Sequence, residues 1–587
     1  MQTDVLIIGG GPTGLLAAAL ASQQNMAVCL VEQSDDPIQC NSHAHYLNAY
    51  SIEILVSAGI PHAQLVALSV DAKRAKNMVV CHRLCQTIAQ INLSDEPDYQ
   101  QRFAQAGRYG AHLNIPATQL HACLLELVKR LPVKILTSHR PVDLNVIQRT
   151  VMVRHCHLQS TIEIKPNYVL ACDGANSATA ELAGIPLRDQ RRFMSFLTVE
   201  CEGSIREIVE HEAMIYWIYH ESMVACMVAF DLDHRQILQI PLAAHQSHEQ
   251  FDEKYLRKAF SAVCGVGDQG LNYTFNIYNR WQLKTGIRTS AHKQHWLFLL
   301  GDACHQILPA GGLGLNTGFA DAYNLIWKLK ENQNHSSNRH WCIDTYEQER
   351  LPNATMAMNQ SIENYQSFLK MSASITIGTS VRGLLTLDTM NDAWIRQQVI
   401  WLCRQYNESV NTEPQSLMQC LEEVKAHYDG TAMHHQVYYQ SALILNASNR
   451  RYYQLAHIEH HPRAGMRLLN MVCVIHNEEI FIHDLLNYHQ WTLLHLDDQI
   501  HAGQIVSALS PFQVKSIPVE KFHNVYDGTE LTIHGLVIRP DGFVYTVIGA
   551  NHNTWQSCVQ SIEHLMATAN ENRWVEVNDD TNNHKRD

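Results

Sequence analysis

No Cys-x-x-Cys pair occurs among the 16 cysteines of this 587-residue chain. That absence removes dithiol exchange and the ordinary zinc knuckle. Cys81 and Cys85 flank His82, but at the wrong spacing for a zinc site, and no metal is expected. Scattered thiols, with no basic leader ahead of an apolar segment, predict reduced cysteines, many of them in the core, in a cytoplasmic protein. No membrane partner is expected either, because a glycine turn and Pro12 break the N-terminal apolar run. No basic block offsets the net charge of -13, which argues against a nucleic-acid partner. The 35 histidines, with a cluster at His457 to His461, read as solvated polar surface.

What is present begins at once. Met1 to Gln33 holds a short apolar run, Val5 to Ile8, that suits a buried parallel strand. Gly9, Gly11 and Gly14 follow at the G-x-G-x-x-G spacing. An Ala-rich helix is expected from Thr13 to Gln24, then a second strand from Ala27 to Val31 ending at Glu32. This order suits a dinucleotide. Gly9 permits the turn, Gly11 lets backbone approach a pyrophosphate, and Gly14 lets helix and strand pack closely. The helix N-terminus favours the phosphates, and Glu32 can accept from a ribose diol.

The length predicts two or three domains, and the 46% hydrophobic content is ordinary for a globular chain. His43 to Leu55 reads as a helix whose start faces the cofactor. Residues 78–110 read as strands of a second, mainly antiparallel region. Pro116 to Arg130 is an amphipathic helix with Pro at its start. Strands are expected at 133–136, 142–147, 150–158 and 160–164. Tyr168 to Cys172 is a further buried strand, closed by Asp173-Gly174; alone, Asp173 could equally be a helix cap. Residues 191–290 read as a sheet with one helix near 249–264. The densest signal is His295 to Leu329: a strand, then Asp302, then a Gly-rich loop from Gly311 to Gly318 that opens a long helix. Helices are expected over 361–435, clearest at Ser374 to Leu387 and Asp392 to Tyr406. Past 440, short strands recur at Met471 to Ile475, Trp491 to Leu496, Thr532 to Ile538 and Phe543 to Ile548. Arg539 to Gly542 forms a turn between the last two, and the tail from Asn578 is expected to be disordered.

Three of these stretches resemble the single-component FAD-dependent aromatic hydroxylases, the group of para-hydroxybenzoate hydroxylase and phenol hydroxylase. They are the glycine fingerprint ending at Glu32, the Asp173-Gly174 motif, and Gly301-Asp302 with its run through Asn316, Gly318, Asp321, Asn324, Trp327 and Lys328. Tyr346 to Pro352 resembles the family's following helix. The match implies α/β architecture: a Rossmann-type FAD-binding domain over 1–360 with an inserted antiparallel substrate sheet (about 78–110 and 191–290). A helical connection over 361–439 and a thioredoxin-like domain over 440–577 would follow. Lacking Cys-x-x-Cys, the latter would be structural, with a homodimer interface as one place for it.

By this resemblance Gly9, Gly11, Pro12, Thr13, Gly14, Glu32 and Gln33 hold the ADP half of FAD. Gly301 and Asp302 serve the ribityl chain, and Pro309, Gly311, Gly312, Gly314, Leu315 and Asn316 line the flavin ring. Asp173 serves FAD and a transient NAD(P)H. The single nucleotide fingerprint agrees, since a nicotinamide cofactor then binds without a Rossmann domain of its own. The implied reaction is NAD(P)H- and O2-dependent hydroxylation of a phenolic or polyketide-like ring through a hydroperoxide at the flavin C4a. Candidates for a general base are His45, Tyr46, Tyr216 and His305. The alternatives are a flavin oxidase or reductase on the same scaffold, or a non-catalytic FAD-binding protein. The chain departs from the family's usual cations at Gln33, His43, Tyr50 and Ala180, and has Ala117 where a Gln is usual. The glycine loops and helix dipole remain, so FAD is still expected.

Overall fold

The computed structural model describes residues 1–35, 44–99, 103, 107–242, 251–267, 272–334, 341–376, 416–429, 437–445, 461–468, 470–496, 499–510, 512–524, 529–549 and 555–571. Most of the helices expected at Ser374 to Leu387 and Asp392 to Tyr406, the histidines 457–460, and the tail from Asn578 lie outside these residues. No helix among the described residues is long and apolar enough to cross a membrane. The chain forms two compact units. The first holds 1–326, 346–437 and 452–458; the second holds 327–345, 438–451 and 459–587.

The first unit is built on two sheets. In one, the strand Gln2–Ile8 lies parallel between Val28–Val31 and Thr161–Ala171, with Leu297–Leu299 parallel beyond the latter and Val133–Leu136 parallel beyond Val28–Val31. Val5 to Ile8 are buried on both faces, which is why that run reads as continuously apolar rather than alternating. The segments expected as separate strands at 160–164 and Tyr168 to Cys172 are one strand, Thr161–Ala171. Its first part pairs antiparallel with Thr150–His155 and its second parallel with Gln2–Ile8, the change of partner falling between Ile164 and Lys165.

The second sheet runs His305–Gln306, Thr274–Arg288, Leu187–Glu202, Arg235–Leu242, Met223–Asp231, Ile215–His220, Asn77–Arg83, Gln86–Asn92. All of its pairings among the described residues are antiparallel except Ile215–His220 against Asn77–Arg83. One face packs on the helix Glu253–Cys264, which Asp252 caps and Gly265 ends in the left-handed region (φ 73°). The other face packs on the helices Trp341–Thr376 and Leu417–Asp429. The helix Trp341–Thr376 is continuous through Pro352 and runs past residue 360.

A helix from His43 is replaced by a strand, Tyr46–Asn48, then a helix, Ala49–Ser57. Asn48 fixes that start, its side chain accepting from the Ser51 amide at 2.8 Å. Likewise the first helix is Pro12–Gln23, with Pro12 its opening residue, where a missing N–H costs nothing.

In the second unit, a four-stranded sheet has the order Val514–Val519, Trp491–Leu496, Gly535–Ile538, Val544–Ile548, its first pair parallel and the others antiparallel. The helix Gln499–Ala508 joins the parallel pair, and Trp555–Glu571 follows the last strand. Trp491 is the centre of its core, stacked on Phe512 at 4.7 Å and edge-on to Trp327 at 6.0 Å. The Arg539 to Gly542 turn is closed by Gly542 N–H donating to the Arg539 carbonyl. Arg539 and Asp541 are fully buried as an ion pair, and the guanidinium lies 5.3 Å from the Trp327 ring, so the turn also anchors the core.

Candidate cofactor site

The glycine loop ends the strand Gln2–Ile8 and opens the helix Pro12–Gln23. Gly9 has φ 108°, and a Cβ there would lie 2.3 Å from the Cys172 carbonyl oxygen. A Cβ on Gly14 would lie 2.0 Å from the Gly9 oxygen. A Cβ on Gly11 would meet nothing within 4 Å. Two glycines therefore exist for close packing, and the third borders open space. Gly11 also offers no side-chain oxygen to the first-turn N–H groups of the helix. Glu32 accepts from the Gly10 amide at 2.6 Å and from Ser34 at 2.8 Å, which holds its carboxylate against the loop with lone pairs to spare. Gln33 is exposed. His121, on the helix Ala117–Lys129, donates from Nε2 to the Gly10 carbonyl at 2.8 Å and braces the loop from behind.

Asp302 lies at the C-terminal end of Leu297–Leu299. It is open to solvent, yet protein crowds it closely enough that burial pushes its carboxyl above the usual range, with His305 pulling it down. A Cβ on Gly314 would lie 3.9 Å from its Oδ1. Thr13 packs between the two ends of the site, close to Gly301 and Gly318. Asn316 fixes the Gly-rich loop: its amide donates to the Tyr46 and Gly312 carbonyls at 2.9 and 2.6 Å and its oxygen accepts from Asn48 N–H at 2.9 Å. Pro309 and Gly311 are exposed, Gly312 and Leu315 half-buried. From the far side, Ser361 accepts from Leu308 N–H and Asn364 donates to the Ala310 carbonyl. An open Gly11, a solvent-facing Asp302 and a pinned glycine loop suit an elongated dinucleotide, so the residues present fit FAD.

A buried hub underlies this loop, and sequence reasoning did not assign it a role. Asp321 accepts from Gly301 N–H at 3.0 Å, from His305 Nε2 at 2.7 Å and from Arg350 Nε at 2.8 Å. Burial alone would raise its carboxyl, but the His305 and Arg350 charges with these hydrogen bonds hold it below the usual range. The segment Tyr346 to Pro352 is the clamp around it. The Tyr346 hydroxyl donates to the Leu299 carbonyl, Glu347 accepts from Ala291 N–H, Glu349 accepts from Asn324, and Arg350 reaches Asp321. Asp173 accepts from Ser177, and from the Thr179 amide and hydroxyl. It fixes its own loop, which Gln306 ties to the GD segment by donating to the Ala175 carbonyl.

The four base candidates part company here. Tyr216 is fully buried in the core on the Glu253–Cys264 face, donating to the His211 carbonyl. His305 is 1% exposed and committed to Asp321. Tyr46 adjoins the Gly-rich loop, where a Cβ on Gly312 would lie 2.8 Å from that of Tyr46, and His45 precedes it, with its ring edge-on to Phe230 at 5.5 Å. Of the departures from the family's usual cations, Tyr50 packs edge-on to Tyr323, Ala180 is buried and His43 lies outside the described residues; Ala117, where a Gln is usual, is also buried.

Lys76 is a buried cation beside this site. It donates to the Tyr428 carbonyl at 2.6 Å, at the end of the helix Leu417–Asp429, and lies 4.6 Å over the Tyr46 ring. Burial pushes its pKa down from 10.5 to about 8. Between those values the unfolded chain holds the extra proton, so stability rises with pH there; below 8 the buried charge costs the fold its full penalty. Unfolding titrations of wild type and Lys76→Met should therefore diverge in favour of wild type by about 3 kcal/mol between pH 8 and 10.5. A constant difference would refute the shift.

The model of the FAD binding domain family matches residues 2–361. A 2,4-dichlorophenol 6-monooxygenase of Delftia acidovorans is 21% identical over 573 residues, covering 93% of this chain and 94% of that protein. A 12-dehydrotetracycline 5-monooxygenase/anhydrotetracycline 6-monooxygenase of Streptomyces rimosus is 27% identical over 60% of this chain and 67% of that one. The crystal structure of the flavin-dependent monooxygenase PieE in complex with FAD and substrate superposes with a TM-score of 0.78 at 19% identity, over 97% of this chain and 99% of that one, a likeness of fold.

Proposed function

The chain belongs to the FAD binding domain family, that of the FAD-dependent aromatic hydroxylases, and on that premise we propose that it hydroxylates a phenolic or polyketide-like ring, with NAD(P)H as reductant and O2 as oxygen source. The observation that carries this reading is the open glycine cradle running from Gly11 to Asp302 and Gly314. An apolar wall adjoins it: Ile307 and Ala310 of the loop belong to the same packed cluster as Phe193, Trp217, Trp281 and Phe368. FAD, when bound, supplies the oxygen chemistry. The chain's own residues orient the ring and exclude water.

His45 and Tyr46 are the polar groups we assign to the substrate. Burial lowers the His45 pKa, against its hydrogen bond to Asn114, so the ring stays neutral at neutral pH. Its Nδ1 is 3.0 Å from the Asn114 oxygen, which leaves Nε2 to accept a proton. Burial raises Tyr46 far above its ordinary value, so its hydroxyl stays a donor. We read the second unit as thioredoxin-like on its strand order and its helix positions; without Cys-x-x-Cys its role is structural.

The test is the visible spectrum of the purified protein before and after anaerobic NADH or NADPH, with and without a panel of phenols and anthracycline- or tetracycline-type rings. Bleaching, followed by product carrying one atom from labelled O2, supports the reading. A flavin that no nicotinamide reduces under any of these conditions would sink it.

A further inference from the structure

Sequence alone places His82 between two cysteines at a spacing that holds no metal. The fold brings it different neighbours. Strand Ile215–His220 lies parallel to Asn77–Arg83, with Cys81 opposite Ile218. This register sets His82 beside His220, their rings 4.7 Å apart at 33°. Glu221, in the turn that follows, reaches both: its Oε2 is 3.2 Å from His82 Nε2 and its Oε1 is 3.3 Å from His220 Nε2. Among the described residues this is the one group of three potential ligands whose donor atoms all lie within 4.8 Å of one another.

We propose that His82, His220 and Glu221 form a binding site for a divalent transition ion of the zinc type, separate from the FAD site. Two imidazoles and one carboxylate are the donor set such ions take, with open positions left for water. The separations of 3.2 and 3.3 Å equal the edge of a coordination tetrahedron with bonds of about 2.0–2.1 Å. His82 is already oriented as a ligand. Its Nδ1 is 3.0 Å from the Tyr219 carbonyl, which can only accept, so Nδ1 holds the proton and Nε2 presents its lone pair. His220 supplies an independent sign. It is 1% exposed, and its Nε2 is a buried polar atom with no hydrogen bond, close to the carboxylate but not aligned with it. A plain histidine–glutamate ion pair would satisfy that atom; an ion would too. Glu221 is 39% exposed, which gives the ion a path in.

One contact must change on loading. His220 Nδ1 accepts from Ser222 N–H at 3.0 Å, so in the free protein its proton sits on Nε2. The ion takes the Nε2 lone pair, the ring proton moves to Nδ1, and the Ser222 amide turns away. That rearrangement is confined to the turn at Glu221 and Ser222.

The experiment uses the full-length, FAD-loaded protein stripped with a chelator. Zn2+ is titrated by calorimetry, and Co2+ is followed through its visible ligand-field bands. Surface histidines bind zinc weakly in any chain with 35 of them, so the reading is the difference from variants. Glu221→Gln alters a partly exposed side chain and should leave the fold and the flavin spectrum intact. Glu221→Gln and His82→Ala should each weaken the tightest Zn2+ site by more than about 100-fold, beyond what losing a group behind a ligand does. Each should also remove the low-symmetry Co2+ bands. Wild type binding Zn2+ as Glu221→Gln and His82→Ala do, with or without a tight site, would overturn the proposal.

Discussion

Arg350→Ala is expected to cost about 3–5 kcal/mol of stability, because it strands one half of a buried ion pair. Asp321 is 1% exposed and keeps its charge only because Arg350, His305 and the Gly301 amide surround it. Arg350 also donates to the Thr317 carbonyl at 3.1 Å, in the first turns of the helix Leu313–Asn334 that the Gly-rich loop opens. Without it that carboxylate faces a buried neighbourhood with one counter-charge fewer, and the Gly301-Asp302 segment loses its anchor. Denaturant unfolding should show the stability loss, and the variant should purify with less flavin. The sign with pH is fixed by the depressed Asp321 value. The stabilisation is complete above the unfolded carboxyl's pKa and fades as pH falls through the lower folded value. The gap between wild type and variant should therefore narrow in acid. A variant within about 0.5 kcal/mol of wild type would place the burden on other residues.

The parts of the site legible in the sequence are those a single residue type betrays. Glycines at fixed spacing after an apolar run locate the fingerprint, and the structure gives each its reason: two near-collisions and one opening. Short strands bounded by turn residues were also readable; Val133–Leu136, Met471–Ile475 and Trp491–Leu496 fall where the pattern puts them. What could not be read depends on partners far along the chain. His121 looks like an odd polar residue on an apolar helix face until Gly10 is seen against it. Asp321 and the stretch that holds Arg350 stand out as motif residues, but only the packing of two long helices brings them together as a buried hub. The role of Asp173 was open for a different reason, since a ligand-facing acid and a loop-capping acid look alike in sequence. Its short-range partners, Ser177 and Thr179, are local enough to have been guessed, since an acid ahead of a Ser-x-Thr turn commonly caps it. His82 meets His220 and Glu221 only in the fold, because its neighbours in sequence are not its neighbours in space.

Substituting the glycines one at a time separates cofactor binding from folding, since the three are not equivalent. Gly14→Ala places a methyl 2.0 Å from the Gly9 carbonyl oxygen, backbone that cannot step aside. The helix Pro12–Gln23 must lift from the strand, and overpacking of this kind costs about 1–3 kcal/mol. Gly11→Ala meets no such barrier. Its φ of -68° and ψ of 175° are ordinary for alanine, and the methyl points into open space. The fold should hold or gain up to about 1 kcal/mol by restricting the unfolded chain. FAD should suffer instead, because the methyl occupies the space through which a pyrophosphate approaches the backbone. A penalty of about 1–3 kcal/mol is a roughly 5- to 150-fold loss of affinity. Thermal melts of the apoproteins and flavin fluorescence quenching on reconstitution read the two effects apart. Gly11→Ala binding FAD as wild type does would mean that the phosphates do not pass there. Gly14→Ala melting with wild type would mean that strand and helix are not in the contact described. The opposite pattern, a stable but flavin-poor Gly11→Ala beside a destabilised Gly14→Ala, follows only if the same turn serves as hinge for the fold and as seat for the dinucleotide.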